Sequence, residues 1–173
     1  MAKTAKKKTS AKKAAAKKPA TGKTLPLFTI GYEQAKPHAV LNELERAKID
    51  TLVDVRAVAA SRRPGFSKRQ LAAALDEAGI TYVHLQKLGT PAEGRQAARA
   101  GDRATLERIY DKHIKKPEPQ AQLDELAGLI GSHKRIALLC YCRDPKTCHR
   151  SRIVANLKGR VRVKVEDLIP PLF

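Results

Sequence analysis

The stretch LLCYCRDPKTCHR, Leu138 to Arg150, begins as an apolar run, breaks at Asp144-Pro145 and resumes at Thr147. From Arg135 to Cys142 it has the short apolar character of a buried parallel strand, and the Asp-Pro pair favours a turn. Thr147 is then placed to cap a helix. Cys148, His149 and Arg150 would fill its first turn, Ile153, Val154 and Leu157 would make its apolar stripe, and Gly159 would end it. Such a junction is also a place for chemistry. First-turn N–H groups and the positive helix end attract an anion and lower the pKa of a nearby thiol, and Arg143 and Arg150 add charge. All three cysteines of the chain lie in this stretch.

Working outward, Leu27 to Ile30 reads as a first strand. A helix follows, with Pro37 in its first turn and Val40, Leu41, Leu44 and Ala47 on one face. Thr51 to Val55 is a second strand. Ser67-Lys-Arg-Gln70 has the form of a capping box for a helix carrying Leu71, Ala74, Leu75 and Ala78, which Gly79 stops before a third strand, Thr81 to Leu85. Residues 87–101 show no usable period and read as a long loop. Thr105 to His113 and Pro119 to Ile130 read as helices, and Val161 to Val165 as a last strand. The alternation predicts an α/β fold: a mostly parallel, about five-stranded sheet flanked by helices on both faces.

The 173 residues are 42% hydrophobic, enough for one ordinary core, and no segment approaches the roughly 18 to 20 apolar residues of a membrane span. Residues 1–24 differ in kind, with nine lysines, no acid and no arginine. Without a large apolar residue to pack, this arm is expected to be disordered, leaving 25–173 as a single α/β domain. Removing its charges from the formal +18 leaves +9 on the domain, which is therefore basic in its own right. A lysine-alanine-proline arm resembles the tails of linker-histone-like proteins. Lys6, Lys7, Lys8, Lys12, Lys13, Lys17 and Lys18 are expected to seat on DNA or RNA phosphates, without sequence preference and with strong salt dependence. A solubilising tail with no dedicated partner is the alternative. Three cysteines and no apolar signal core point to a cytoplasmic, or nucleoid-associated, location.

Ligands of parallel sheets bind at the carboxyl ends of the strands. There the sequence places Tyr32 and Glu33, then Asp54 and Arg56 with Ser61, Arg62 and Arg63 beyond, then His84, then the cysteine loop. Arg56, Arg62 and Arg150 are expected to hold a phosphate or other small anion, since arginine offers a planar fork to such groups. Asp54 would orient Arg56, or merely pair with it to hold the loop, with Tyr32 and His84 standing behind. Cys142 and Cys148, at the strand end and helix start, and His149 are the candidate catalytic groups; Cys140 reads as an inert core thiol. A zinc site from Cys140, Cys142, Cys148 and His149 is the minority alternative, since the cysteines lack the familiar Cys-x2-Cys pair; no glycine-rich nucleotide loop is present, and no metal or cofactor is expected.

Thr29-Ile-Gly-Tyr32, Asp54-Val-Arg56, Ser61-Arg62, Gly65-Phe66-Ser67, Gly79-Ile-Thr-Tyr82, Leu88-Gly89, and Leu138-Leu-Cys140 ending in Cys148-His-Arg150 occur together in this order. In these motifs the chain resembles the domain of unknown function 488 family, over nearly everything after the arm. The resemblance implies a compact α/β domain and names no reaction. Members usually carry a glutamate two residues after the strand cysteine, where this chain has Cys142. Asp54-Val-Arg56 with Tyr141-Cys-Arg143 and Arg150-Ser151 is also similar to the rhodanese pattern. The expected function is a nucleic-acid-associated protein with an anion pocket, in which His149 or Cys142 would perform hydrolysis or transfer. The alternatives are a thiol enzyme of the sulfur-transfer or redox kind, and a non-catalytic DNA-binding module.

Overall fold

The strand that carries Cys140, Ile136–Cys140, is buried at every position because both faces of the sheet are covered. In this computed structural model, which describes residues 23–132 and 134–172, it is the fourth of five strands. The others are β1 (Leu25–Gly31), β2 (Thr51–Asp54), β3 (Thr81–His84) and β5 (Val163–Leu168), with Ile136–Cys140 as β4. The order across the sheet is β3-β2-β4-β1-β5, and every pairing is parallel. The lysines of the arm from Lys6 to Lys18 lie outside the described residues.

Side chains alternate along β4, so its two faces build two cores. Ala137 and Leu139 join Phe28, Ile30 and Leu52 beneath α1 (Pro37–Arg46) and α2 (Lys68–Glu77). Ile136 and Leu138 join Leu27 and Val53 on the other face. That face is covered through Tyr110 of α4 (Arg103–His113), Leu123, Leu126 and Ile130 of α5 (Pro117–Gly131), and Ile153 of α6 (His149–Asn156). Thus β1 and β2 lead to helices on one face, while β4, between them, leads to α6 on the other. Connections that diverge from adjacent strands open a crevice at their carboxyl ends.

The expected α/β sheet is present, and several boundaries differ. The stretch 87–101 is not one loop: Gln86–Leu88 form a 3₁₀ turn and Ala92–Arg99 form a helix, α3. Thr147 is not the cap of α6. It belongs to a 3₁₀ turn, Pro145–Thr147, and Cys148 is the N-cap, in extended conformation. The helix closes at Leu157, before Gly159. Ser67 is the N-cap of α2, yet no capping box forms. Its hydroxyl instead donates to the Ser61 carbonyl and accepts from the Ser61 N–H, while Gln70 accepts from the Gly65 N–H. The last strand lies two residues later than its hydropathy indicates, its register set by Leu25 opposite Val163.

Candidate functional site

The β1–β4 register sets Gly31 opposite Cys140, and the chain beyond each strand stays in contact. Tyr32 N–H donates to the Cys140 carbonyl at 3.3 Å and Glu33 N–H to the Tyr141 carbonyl at 2.8 Å. A β-carbon on Gly31 would fall 1.9 Å from the Cys142 carbonyl oxygen, so only glycine lets the cysteine loop approach. Gly89 plays the same part under the loop after β2, where a β-carbon would meet the Ala57 nitrogen at 2.0 Å. Two glycines thus hold both walls of the crevice close.

Arg150 holds the loop from below. It is 1% exposed, and its Nη2 donates to the carbonyls of Cys142 at 2.7 Å and Arg143 at 3.3 Å. Its Nε has no hydrogen-bond partner among the described residues. The expected anion contact at Arg150 is therefore occupied by main-chain carbonyls.

Arg56 is likewise engaged. Its Nε and Nη2 donate to the two Asp54 oxygens at 2.8 and 2.6 Å, and its Nη1 donates to the Tyr32 hydroxyl and the Phe66 carbonyl. Asp54, fully buried, also accepts from the Arg56 N–H and the Tyr82 hydroxyl. Burial works against the guanidinium, but the Asp54 carboxylate outweighs it and raises the arginine's pKa further. Burial and the same carboxylate push the Tyr82 phenol up, keeping it a donor. Of the two readings of Asp54 and Arg56, the geometry is that of a buried pair holding the loop. Tyr32 stacks on Phe66 with ring centroids 4.2 Å apart, and His84 Nε2 lies 2.8 Å from the Arg56 carbonyl. Both support that loop from behind.

Cys140, Cys142 and Cys148 have their sulfurs within 4.8 Å of one another. Cys140 shares the β4 face of Ile136 and Leu138, and Cys148 at the α6 N-cap comes back over it. Cys140 is therefore no isolated core thiol; its sequence context hides the cluster because the partners arrive from the loop. His149 lies beside two of them, with Nδ1 3.6 Å from the Cys140 sulfur and 3.8 Å from that of Cys148. Its Nε2 lies 2.9 Å from the Val55 carbonyl, which can only accept, so Nε2 carries the proton. Both ring nitrogens are thus committed.

Hydrogen bonds from Cys140 and Cys142, with help from His149, hold Cys148 well below the ordinary thiol value despite its burial. At Cys142 the bonds to Cys140 and Cys148, together with burial, raise the value. At Cys140 the bond from Cys142 lowers it but is outweighed by the bond to Cys148 and by burial. Burial disfavours the His149 imidazolium, and contact with Cys148 and the Val55 carbonyl overcomes this, raising its pKa.

Above the cluster opens a cleft of about 810 Å³, with Cys140, Cys142, Cys148 and His149 on its floor. Its walls carry Arg62 and Arg63 from the loop after β2, Arg95 and Arg99 from α3, Arg103 and Arg152 from α4 and α6, and Lys146. Glu107 is the single acid among the lining residues; it pairs with Arg103 and Arg152. Sequence reading found Arg62 but missed α3, because that helix has no large apolar stripe to announce it. Tyr141, 46% exposed, stands at the rim with its ring edge-to-face on Tyr32.

The family model described as "Domain of unknown function DUF488" matches residues 36–157, most of the chain. The chain belongs to the DUF488 family. The match spans α1 through α6, and so includes both walls of the cleft and its cysteine floor. No curated protein and no solved structure matches the chain. Among the described residues no helix is long and apolar enough to cross a membrane.

Proposed function

We propose that this DUF488 protein is a nucleic-acid-associated, anion-binding protein whose cleft receives the phosphates of a single strand. The observation that carries this reading is the charge of the cleft: eight of its lining residues are basic and one is acidic. Arg56 is spent on Asp54, and Arg103 and Arg152 are shared with Glu107. Arg62, Arg99 and Lys146 are exposed and make no ion pair among the described residues, so their charge is available to a ligand. Low-dielectric walls of one sign focus field and raise the local concentration of anions. Tyr141 offers a half-exposed ring on which a base can stack, the partner that phosphate contacts need in single-strand binding.

The lysine-rich arm extends the same electrostatics, adding contacts that hold the domain near DNA or RNA. A location beside nucleic acid, in the cytoplasm or on the nucleoid, follows from this reading. It assigns no bond cleavage to His149, whose ring nitrogens face the thiols and the Val55 carbonyl. Fluorescence anisotropy of the full chain with a labelled single-stranded oligonucleotide, titrated with salt, tests the proposal. Each phosphate contact contributes about −0.7 to the log–log salt slope on single strands, so R62A/R99A should reduce the slope by about 1.4. Y141A should weaken binding by about 1–3 kcal/mol with the slope unchanged. Slope and affinity unaltered in both variants would overturn the proposal.

A further inference from the structure

The cleft floor has a second property that phosphate binding does not use. Three sulfurs lie within 4.8 Å of one another and form a three-donor cluster, with an imidazole nitrogen 3.6 and 3.8 Å from two of them. With zinc–sulfur bonds of about 2.3 Å and zinc–nitrogen bonds of about 2.0 Å, the edges of a tetrahedral site are about 3.5 to 3.8 Å long. The two measured sulfur–nitrogen separations match such edges closely.

We infer that Cys140, Cys142 and Cys148 form a zinc site, with the Nδ1 of His149 turning in as the fourth donor on loading, tying the end of β4 to the start of α6. Two further observations support the assignment. The first is the hydrogen bond from His149 Nε2 to the Val55 carbonyl at 2.9 Å. Metal-bound histidines donate their other ring N–H in this way, which fixes the ring and aims the free nitrogen at the metal. The second is Arg150. It is 1% exposed, its guanidinium meets carbonyls rather than a carboxylate, and its Nε is left without a partner. A buried cation without a counter-charge is costly. Zinc with three thiolates and a neutral imidazole carries a single negative charge, which the guanidinium against the Cys142 and Arg143 carbonyls balances. Loading displaces the thiol protons to solvent. Cys142, half-exposed and lining the cleft, gives the ion a way in.

Thiolate and imidazole donors in a tetrahedral arrangement select zinc over the hard cations that oxygen ligands prefer. The missing Cys-x2-Cys pair is no obstacle, since here a strand end, a loop and a helix start supply the ligands rather than one knuckle. With His149 as the fourth donor, the site is of the closed, structural kind.

The test is a titration of reduced, metal-free full-length protein with Co²⁺, followed by back-titration with Zn²⁺. The inference requires visible bands of tetrahedral cobalt and a thiolate-to-cobalt charge-transfer band, saturating at one equivalent and abolished by zinc. C142S, at a half-exposed position that leaves the cores untouched, should fold as the wild type by circular dichroism while losing about one third of the charge-transfer intensity. Absence of the charge-transfer band in the wild type, or an unchanged band in C142S, would overturn the inference. Oligonucleotide anisotropy of metal-free protein is read alongside, so a failed zinc site and a failed cleft are told apart.

Discussion

Replacing Asp54 with alanine should be among the most destabilising single changes in this chain. The carboxylate is fully buried and accepts four hydrogen bonds, from the Arg56 N–H at 3.0 Å, Nε at 2.8 Å and Nη2 at 2.6 Å, and from the Tyr82 hydroxyl at 2.6 Å. Its removal strands the Arg56 guanidinium, 5% exposed, with no other ion-pair partner among the described residues. Breaking a buried pair in this way costs about 3–5 kcal/mol. For a chain of this size each kcal/mol lowers the melting temperature by about 2–4 °C, so D54A should melt roughly 6–20 °C lower. R56L in the D54A background removes the orphaned charge and should recover part of the loss, giving a clear coupling energy in the double-mutant cycle. Urea unfolding followed by circular dichroism measures all four proteins. A D54A cost below about 1 kcal/mol, the range of exposed pairs, would refute the reasoning. So would an R56L protein of unchanged stability whose oligonucleotide binding collapses, because Arg56 would then serve the ligand rather than the loop.

G31A should drive the cysteine loop away from β1, since its β-carbon would sit 1.9 Å from a main-chain oxygen that has no flexible end to yield. A loss of about 1–3 kcal/mol is expected in urea unfolding, together with weaker Co²⁺ binding. Y110F removes the hydrogen bond to the buried Leu88 carbonyl at 2.7 Å, and the same measurement should show a loss of about 1 kcal/mol. Asp102 caps α4 by accepting from the Thr105 N–H, which holds its carboxyl below the ordinary value. Its contribution is present above the unfolded carboxylate pKa and is lost as pH falls through the folded one. D102A should therefore melt lower than the wild type at neutral pH, and the two melting temperatures should converge in acid.

The strands and five of the helices were legible because each carries a large apolar signal: the run Ile136–Cys140, or Val40 with Leu44 on α1. Helix α3 was not, for a physical reason. It packs through Gly94 and Ala97, and a β-carbon on Gly94 would lie 2.8 Å from Thr90 and 3.4 Å from Leu106. Close approach to α4 demands small residues, and small residues leave no hydrophobic period to read. The basic wall formed by Arg95 and Arg99 was hidden with it. The capping residues misled in the opposite sense: Ser67 and Gln70 are present, but Ser61 and Gly65, brought in by the turn, use their side chains instead. At the candidate site, residue types drew attention to the cysteine loop, while the contacts of the two arginines needed three dimensions. Arg56 and Arg150 look like ligand forks in sequence, yet Asp54 and the Cys142 carbonyl claim them first. Cys140 reads as core because the alternation of β4 dominates its context, while the spacing of the cysteines left their meeting undecided until the fold brought Cys142 and Cys148 onto it.

Photocrosslinking of a single-stranded oligonucleotide to the full-length protein, with peptides identified by mass spectrometry, locates the strand on the domain. Crosslinks are expected at the cleft wall and rim, in the segments 56–63, 92–103 and 141–147, besides those of the lysine-rich arm. Crosslinks confined to the arm, or lying on the α1 and α2 face behind the sheet, would contradict the proposed binding in the cleft.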